Sequence, residues 1–319
     1  MLKKLLALLL LFVLLPAAAA PAQTAPAAPA PAFPPLAAVL PLPASSLRFW
    51  DTSGAKAWEA RDRELFPGAE NVLTVIAVEI GAADCFILRC GDHTALIDCG
   101  LLGPDDLVLR LLSRLGIDRF DFVINTHPHD DHITGIFDLL PAFPIGKIYV
   151  GFDRHYRNLN KRLFREAEKL GIPVERVEAP QTIALGPAEL TLYQVPWGDN
   201  TNNRSLVTRL TLGERSMLLP ADIGQSGMLW LLETYGAQAF QADILKAPHH
   251  GIDLVPTELL EAAGPQVIFI TYFPHKRNAD AVKKLRAQGY EPLFTGLGTL
   301  VMKTDGTLWT VTQLPREGK

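Results

Sequence analysis

The stretch Thr126-His127-Pro128-His129-Asp130-Asp131-His132 places three imidazoles and two carboxylates within six positions, directly after the apolar run Phe120–Asn125. A short apolar run bounded by turn residues is typical of a buried strand, and a helical pattern begins near Thr134. The stretch therefore lies where a strand ends and a helix begins. Layered α/β proteins collect their ligands at such strand ends.

The spacing of these side chains predicts a metal site. His127 and His129 are two positions apart in an extended turn and can point to the same side, whereas Asp131 and His132 fall on the next bend and can face a second ion about 3.5–4 Å away. Mixed imidazole and carboxylate ligands suit Zn²⁺ and, with more oxygen donors, Mn²⁺ or iron. A solvated polar loop would explain one histidine better than three at this spacing, so we expect one or two ions, with Zn²⁺ favoured and Mn²⁺ as an alternative.

The same stretch resembles the His-X-His-X-Asp-His signature of the metallo-β-lactamase superfamily. Four further segments resemble the opening strands and the strands that deliver a bridging Asp and a last His, in the order Val78–Leu88, Ala95–Gly100, Ser216–Asp222 and Asp243–Gly251. The His-His-Gly element and the Asn-rich turn before Ser205 are most similar to the hydrolase domain of ComEC-type competence proteins and their stand-alone exported relatives. The resemblance runs from about Val72 to Leu314 and implies an αββα four-layer sandwich.

The resemblance also implies a set of candidate metal ligands: His127, His129, Asp131, His132, Asp222, His249 and His250. The first two would hold one ion, Asp222 would bridge, and Asp131, His132 and one histidine of the last pair would hold the second ion. We favour His249 because it comes first after the strand, and His250 would then support a ligand or contact the substrate. Alternation along a strand lets only one of two neighbours face the ion.

One turn departs from the family pattern. Most members place another histidine on the first ion in a turn that here reads from Pro196 to Ser205 and contains none. ComEC-type members carry Asn there, so Asn202 or Asn203 could approach the metal or the substrate. Conversely, His129 stands where ComEC-type sequences commonly carry Asp, which adds a nitrogen ligand to the same ion.

Hydrolysis is the reaction that such a site favours, because two divalent ions lower the pKa of a bound water to about 7. Asp130 is a candidate to orient that water or to hydrogen-bond a ligand histidine, and otherwise is a solvated turn residue. Asp98 is a candidate to fix a ligand imidazole. His275, followed by Lys276 and Arg277, could protonate the leaving group or bind a phosphate, unless this is simply a basic surface loop.

The N-terminus predicts export to the periplasm or the medium. A basic start (1–4), an apolar run (5–15) and an Ala-rich segment (16–22) form a signal peptide over residues 1–22. The apolar run is shorter than the ~20 residues of a membrane span, so no stable membrane insertion is expected after cleavage, with an uncleaved anchor as the alternative. An Ala/Pro-rich tether follows over residues 23–45, and one hydrolase domain over residues 46–319.

Apolar runs and helical patterns agree with a mixed α/β domain. Strands are predicted at 72–80, 85–90, 94–99, 120–125, 146–151, 189–195, 205–212, 215–221, 243–247 and 266–271, and helices at 104–116, 158–171, 226–236 and 278–288. Three cysteines occur in the chain. A three-residue hairpin loop would place Cys85 opposite Cys99 and allow a disulfide, whereas a two-residue loop would place Asp98 there instead.

The charge balance restricts the substrate. With 30 basic and 34 acidic residues the chain carries a formal net charge of −4, which argues against nonspecific binding of long DNA. Five basic residues between Arg154 and Arg165 could line a cleft, although a solvated helix face is the favoured interpretation. We therefore expect a phosphodiester substrate, either a small molecule or an exposed nucleic-acid or phospho-headgroup end, and no obligate protein partner. The alternatives are a β-lactamase or lactonase and, less favoured, a non-catalytic metal-binding module.

Overall fold

The computed structural model describes residues 62–102, 107–198, 200–314 and 316. The predicted signal peptide (1–22) and tether (23–45) lie outside these residues, as do residues 46–61 of the predicted domain. Within the described ranges, no helix is long and apolar enough to cross a membrane.

The strands, in chain order, are β1 (Leu73–Ala77), β2 (Cys85–Cys90), β3 (His93–Cys99), β4 (Phe122–Asn125), β5 (Ile148–Val150), β6 (Val174–Arg176), β7 (Gln181–Leu185), β8 (Ala188–Tyr193), β9 (Val207–Leu212), β10 (Arg215–Leu219), β11 (Ile244–Lys246), β12 (Val267–Ile270), β13 (Leu293–Phe294), β14 (Leu300–Thr304) and β15 (Trp309–Gln313). They form an eight-stranded sheet in the order β15-β14-β1-β2-β3-β4-β5-β6 and a seven-stranded sheet in the order β13-β12-β11-β10-β9-β8-β7.

The α-helices, in chain order, are α1 (Leu107–Arg114), α2 (Asp130–Ile133), α3 (Ile136–Leu139), α4 (Asn158–Lys169), α5 (Gln225–Tyr235), α6 (Thr257–Ala263) and α7 (Ala279–Ala287). α1 illustrates how a helix packs against its sheet through one apolar face. Its buried residues Val108, Leu111 and Leu112 recur at helical spacing and form one apolar face, which meets the first sheet.

Three apolar clusters define the layers. Alternate residues of β2 divide between two of them: Phe86 and Leu88 lie in the core between the sheets, and Ile87 lies in the core under the helices of the first sheet. A third cluster joins the second sheet to its own helices through residues such as Met228 and Leu259. The order is helix, sheet, sheet, helix, which confirms the predicted αββα sandwich.

The four predicted helices are present, with ends shifted by up to a few residues. Several elements were not predicted from the sequence: helix α6 and strands β6, β7, β13, β14 and β15. β6 and β13 have three and two residues, too short for a periodic signal.

The β2–β3 hairpin settles the pairing of Cys85. The loop has two residues, since Cys90 pairs with His93, but a bulge shifts the register so that Cys85 faces Cys99 after all. Asp98 is the extra residue of that bulge and has a φ of +53°. The predicted disulfide is wrong, because all three cysteines are buried free thiols.

Candidate metal centre

The candidate ligands meet at the edge where several strands end. His127 and His129 lie between β4 and α2, and Asp131 and His132 belong to α2. Parallel strands β10 and β11 end at the same edge and lead to Asp222 and to the turn that carries the histidine pair. Because parallel strands present their carboxyl ends together, distant segments of the chain converge there.

Four of the imidazoles share one arrangement, in which Nδ1 is hydrogen-bonded outward. The partners are Thr126 Oγ1 for His127 (3.1 Å), Asp98 Oδ2 for His132 (2.7 Å), Asp253 Oδ2 for His249 (2.7 Å) and Thr271 Oγ1 for His250 (2.9 Å). A carboxylate only accepts, so Nδ1 carries the proton wherever the partner is an aspartate. The opposite nitrogen, Nε2, then presents its lone pair to the centre, as a metal-binding histidine must.

One group of ligand atoms is compact. Asp131, His132, Asp222 and His250 each place a ligand atom within 4.8 Å of the others. Nε2 of His132 lies 3.3 Å from Asp222 Oδ2, and Nε2 of His250 lies 3.5 Å from Asp222 Oδ1. These two nitrogens and Asp222 Oδ1 are buried and have no hydrogen-bond partner in the described part of the chain. Buried polar atoms without a partner are costly, and a divalent cation fits this donor set.

A second group adjoins it through the same aspartate. Nε2 of His127 lies 3.1 Å from Nδ1 of His129 and 3.9 Å from Asp222 Oδ2. If one of the two imidazoles carries its proton on the facing nitrogen, the contact is a hydrogen bond. If both facing nitrogens are unprotonated, the pair suits a shared cation. Asp222 thus lies beside both groups.

The preference for His249 over His250 is not supported by this geometry. His250, which is buried, joins the compact group, whereas His249 is 26% exposed and approaches Asp222 Oδ2 at 3.8 Å from the other side. The argument from strand alternation fails because β11 ends at Lys246. Both histidines follow in left-handed conformations, with φ of 48° and 53°, and both rings turn toward Asp222.

The Asn-rich turn contributes one side chain. Nδ2 of Asn202 lies 3.4 Å from Nε2 of His249, whereas Asn203 donates to Ser226 Oγ at 3.1 Å. Of the two residues considered from the sequence, Asn202 is the one beside the centre. The imidazole of His249, which approaches Asp222, thus has the amide of Asn202 beside its Nε2.

Asp98 supports the centre from behind. Its oxygens accept from Thr126 N (2.8 Å), Thr126 Oγ1 (2.6 Å) and Asn125 Nδ2 (3.1 Å), as well as from His132 Nδ1. Asp98 also lies within 4.8 Å of His127 and His132. Its oxygens are already engaged by donors, however, so it orients the imidazole of His132 rather than binding an ion.

Sequence reasoning missed a buried ion pair beneath the site. Lys246 Nζ lies 2.9 Å from Asp84 Oδ2, 3.8 Å from Asp222 Oδ1, and donates to Ala221 O at 2.9 Å. Asp84 and Lys246 are both fully buried. The available signal was a charged residue, Lys246, at the end of the apolar strand β11, since charges are rarely buried without a partner.

The pKa values of two histidines in the site are shifted in opposite directions. Burial, reinforced by the charge of His132, holds the pKa of His127 well below its usual value. Burial alone would also lower the pKa of His132, but the carboxylates of Asp222 and Asp98 outweigh it and raise that pKa well above normal. The pKa of Asp222 is held well below its usual value, because His132 and His250 outweigh the opposing effect of burial.

The two candidate catalytic residues lie apart from this cluster. Asp130 is exposed on the wall of a cavity next to the ligands, and its carboxylate makes no hydrogen bond to a ligand histidine among the described residues. His275 packs its ring 5.6 Å from Tyr272 and accepts at Nδ1 from Arg277 N. No hydrogen bond or ion pair joins His275 to the cluster within the described ranges.

Comparison with known proteins agrees with the site. The family model of the metallo-beta-lactamase superfamily matches residues 78–275. ComE operon protein 3 of Bacillus subtilis (strain 168) is 23% identical over 149 residues, 46% of this chain and 19% of that protein. Anti-Pycsar protein Apyc1 of Paenibacillus sp. (strain J14) is 40% identical over 53 residues, 17% of this chain and 20% of that protein. The chain thus spans about a fifth of each of these two relatives.

A solved structure agrees at the level of the fold. The metallo-beta-lactamase fold protein YhfI from Bacillus subtilis is 18% identical, with a TM-score of 0.50, and the match covers 74% of this chain and all of that one. The sandwich and the His-Asp cluster define a protein of this fold with a candidate metal centre. The chain belongs to the metallo-β-lactamase superfamily, which confirms the interpretation of its signature.

Proposed function

We propose that the chain is an exported zinc-dependent phosphodiesterase. The observation that supports this most is the convergence of four Nε2 atoms, whose rings are fixed from outside, on one shared aspartate. Two-ion sites of this kind serve phosphatases and nucleases, because both the attacking and the leaving oxygen need stabilisation. The likeness to ComE operon protein 3 over part of the chain supports the ComEC-type resemblance from which the phosphodiester class was expected.

The donor set suggests how two ions would be held. His127 and His129 would bind one, with His249 as the third imidazole in place of the histidine that the Asn-rich turn lacks. The compact group, Asp131, His132 and His250, would bind the other, and Asp222 would bridge. Imidazole-rich sites favour Zn²⁺, with Mn²⁺ as the alternative. When bound, the ions would supply Lewis acidity and lower the pKa of a water to about 7.

The remaining residues of the site position these groups. Asp98, Thr271 and Asp253 hold three of the imidazoles from outside, and Lys246 offsets part of the negative charge of Asp84 and Asp222. Asp130 remains the candidate to orient the attacking water, because it is exposed beside Asp131. His275 remains the candidate proton donor to the leaving group. The last two assignments predict a loss of turnover with unchanged metal content in Asp130→Asn and in His275→Gln.

The test is hydrolysis of bis(p-nitrophenyl) phosphate by the purified chain with Zn²⁺ or Mn²⁺ added. Asp222→Ala removes the bridging carboxylate, and Asp138→Ala, an exposed carboxylate on α3, is the matched control. Turnover that needs metal, survives in Asp138→Ala and disappears in Asp222→Ala is the expected result. Absence of turnover in a metal-loaded protein, together with hydrolysis of a chromogenic cephalosporin or a lactone, would replace the proposal with the acyl-hydrolase alternative.

Export has its own test. A chain produced with its own N-terminus in a bacterial host should appear in the periplasm or medium, with a new N-terminus close to residue 23. An intact N-terminus in the cytosolic fraction would contradict the predicted cleavage.

A further inference from the structure

A cavity of about 640 Å³ opens directly beside the metal cluster. One wall is the metal-binding stretch, Pro128–Asp131, and the other is the segment Tyr156–Leu159 together with Lys161. Since His129 and Asp131 are candidate ligands, whatever enters this cavity adjoins the reacting centre.

Two cations of the facing wall are available to a ligand. Arg157 and Lys161 are four positions apart at the start of α4, a spacing that places both side chains on one face of the helix. Both are exposed, and neither forms an ion pair with any described residue. Two other cations of the same segment are paired, Arg154 with Glu168 and Arg165 with Glu166.

The backbone adds to this positive wall. The first turn of α4 contains no acidic residue, and no side chain caps its N-terminal amides. Such amides carry partial positive charge and suit an anion. The opposing charge in the cavity outside the ligand cluster is Asp130. The positive charge of one guanidinium, one ammonium and the helix N-terminus therefore exceeds the negative charge of one carboxylate.

The wall is also held in place. The hydroxyl of Tyr156 lies 3.1 Å from Thr201 Oγ1, and its ring packs against Phe152 with a centroid distance of 4.4 Å. The guanidinium of Arg204 covers the same two rings at 5.0 and 5.2 Å from their centroids. The segment that presents Arg157 is thus fixed on both sides, which lowers the entropic cost of binding an anion.

We propose that this cavity binds a second phosphate of the substrate through Arg157, Lys161 and the first turn of α4. The inference rests on the proposed phosphodiesterase function and narrows it. The substrate would carry a further phosphate close to the one at the metal cluster, as nucleotides with a terminal phosphate do, rather than a single isolated diester. The favoured interpretation of this basic segment as a solvated face then holds only for its cations outside the cavity lining.

Calorimetric binding to the zinc-loaded chain tests the inference without turnover. Thymidine 3′,5′-bisphosphate carries one phosphate more than thymidine 3′-monophosphate and is otherwise the same. We expect the wild-type chain to bind the bisphosphate at least about tenfold more tightly, the size expected for charge-assisted hydrogen bonds. Arg157→Gln/Lys161→Gln should reduce this preference to less than about threefold. Arg165→Gln, one turn further along α4 and outside the cavity lining, should retain it because Arg165 is paired with Glu166.

Equal dissociation constants for the two ligands in the wild-type chain would overturn the inference, and so would a preference that persists in the double variant. Circular dichroism should show the same unfolding temperature for all three proteins, because the exchanged side chains are exposed. Hydrolysis of bis(p-nitrophenyl) phosphate without a bisphosphate preference would contradict this inference alone. A preference without hydrolysis would contradict the phosphodiesterase proposal alone.

Discussion

At the scale of single residues, Asp98 links a backbone irregularity to the chemistry of the site. As the extra residue of a bulge with a left-handed φ, it departs from the alternation of β3 and turns its carboxylate toward His132. Bulges beside active sites commonly redirect one side chain in this way. The apolar strand pattern of the sequence carries no sign of the bulge, although the Asp at the strand end does suggest a supporting role.

Asp98→Asn should weaken zinc binding by about 10- to 100-fold, as loss of a supporting carboxylate generally does. Oδ2 of Asp98 accepts from Thr126 Oγ1 and His132 Nδ1, and Oδ1 accepts from Thr126 N and Asn125 Nδ2, so an amide must turn its NH₂ toward two donors at one of these positions. Competition with a chromophoric chelator measures the affinity. Asp130→Asn, an exposed carboxylate in the same stretch, should bind zinc within about twofold of the wild type. Equal affinities in the two variants would contradict the role of Asp98.

Lys246 and Asp84 form the other residue-scale feature. Lys246→Met leaves Asp84 buried without its cation and should lower the free energy of unfolding of the metal-free chain by about 3–5 kcal/mol. Lys246→Met/Asp84→Asn removes the uncompensated charge and should recover part of that loss. Urea unfolding of these two variants and of Asp84→Asn alone measures the free energy of unfolding of each. Additive losses from the two single substitutions would show that the ion pair is not coupled.

At the scale of elements, close packing fixes α2 and α3 against the end of β3. A Cβ at Gly135 would lie 2.3 Å from Gly100 O and 2.6 Å from Cys99 Sγ. Gly135 N also donates to Cys99 O at 2.9 Å. Only glycine allows this approach, and the approach places Asp131 and His132 beside the strand that carries Asp98.

Gly135→Ala should therefore cost about 1–3 kcal/mol of stability through overpacking and should also weaken zinc binding, since the helix with two ligands must move. Thr134→Ala, next to it, removes a hydroxyl that donates to Asp130 O and should cost about 1 kcal/mol or less. Thermal unfolding and zinc titration of both variants give the comparison. Wild-type zinc affinity in Gly135→Ala would show that this contact does not position the ligands.

At the scale of the whole molecule, the candidate ligands come from both sheets, so a bound ion would join the two halves of the sandwich. His132 follows β4 of the eight-stranded sheet, whereas Asp222 and His250 follow β10 and β11 of the seven-stranded sheet. A ligand that binds the folded state alone stabilises it by about 2.7 kcal/mol at a hundredfold excess over its dissociation constant. Chelation of zinc should thus lower the unfolding temperature by about 5–11 °C for a domain of this size. Asp222→Ala should show little change on chelation, and an equal decrease in both proteins would contradict the bridging role.

The sequence predicted what depends on local pattern and missed what depends on tertiary contact. Most strands and the four predicted helices carry clear periodicity, and the ligand stretch is a compact motif. The periodicity indicates a mixed α/β domain, and the resemblance to the superfamily implies the αββα order. His250 was among the candidate ligands, but its place in the compact group ahead of His249 could not be predicted, because the left-handed turn that presents both residues has no apolar period. Lys246 and Asp84 lie far apart in the chain, and their pairing exists only once β11 and the segment before β2 meet.

The most direct test is the number of zinc ions bound per chain, measured by native mass spectrometry after zinc addition and removal of excess metal. We predict two ions for the wild-type chain, at most one for His250→Ala and for His127→Ala, and two for Asp138→Ala. A wild-type chain that retains no zinc, or variants that retain two ions, would contradict the assignment of this cluster as a two-ion centre.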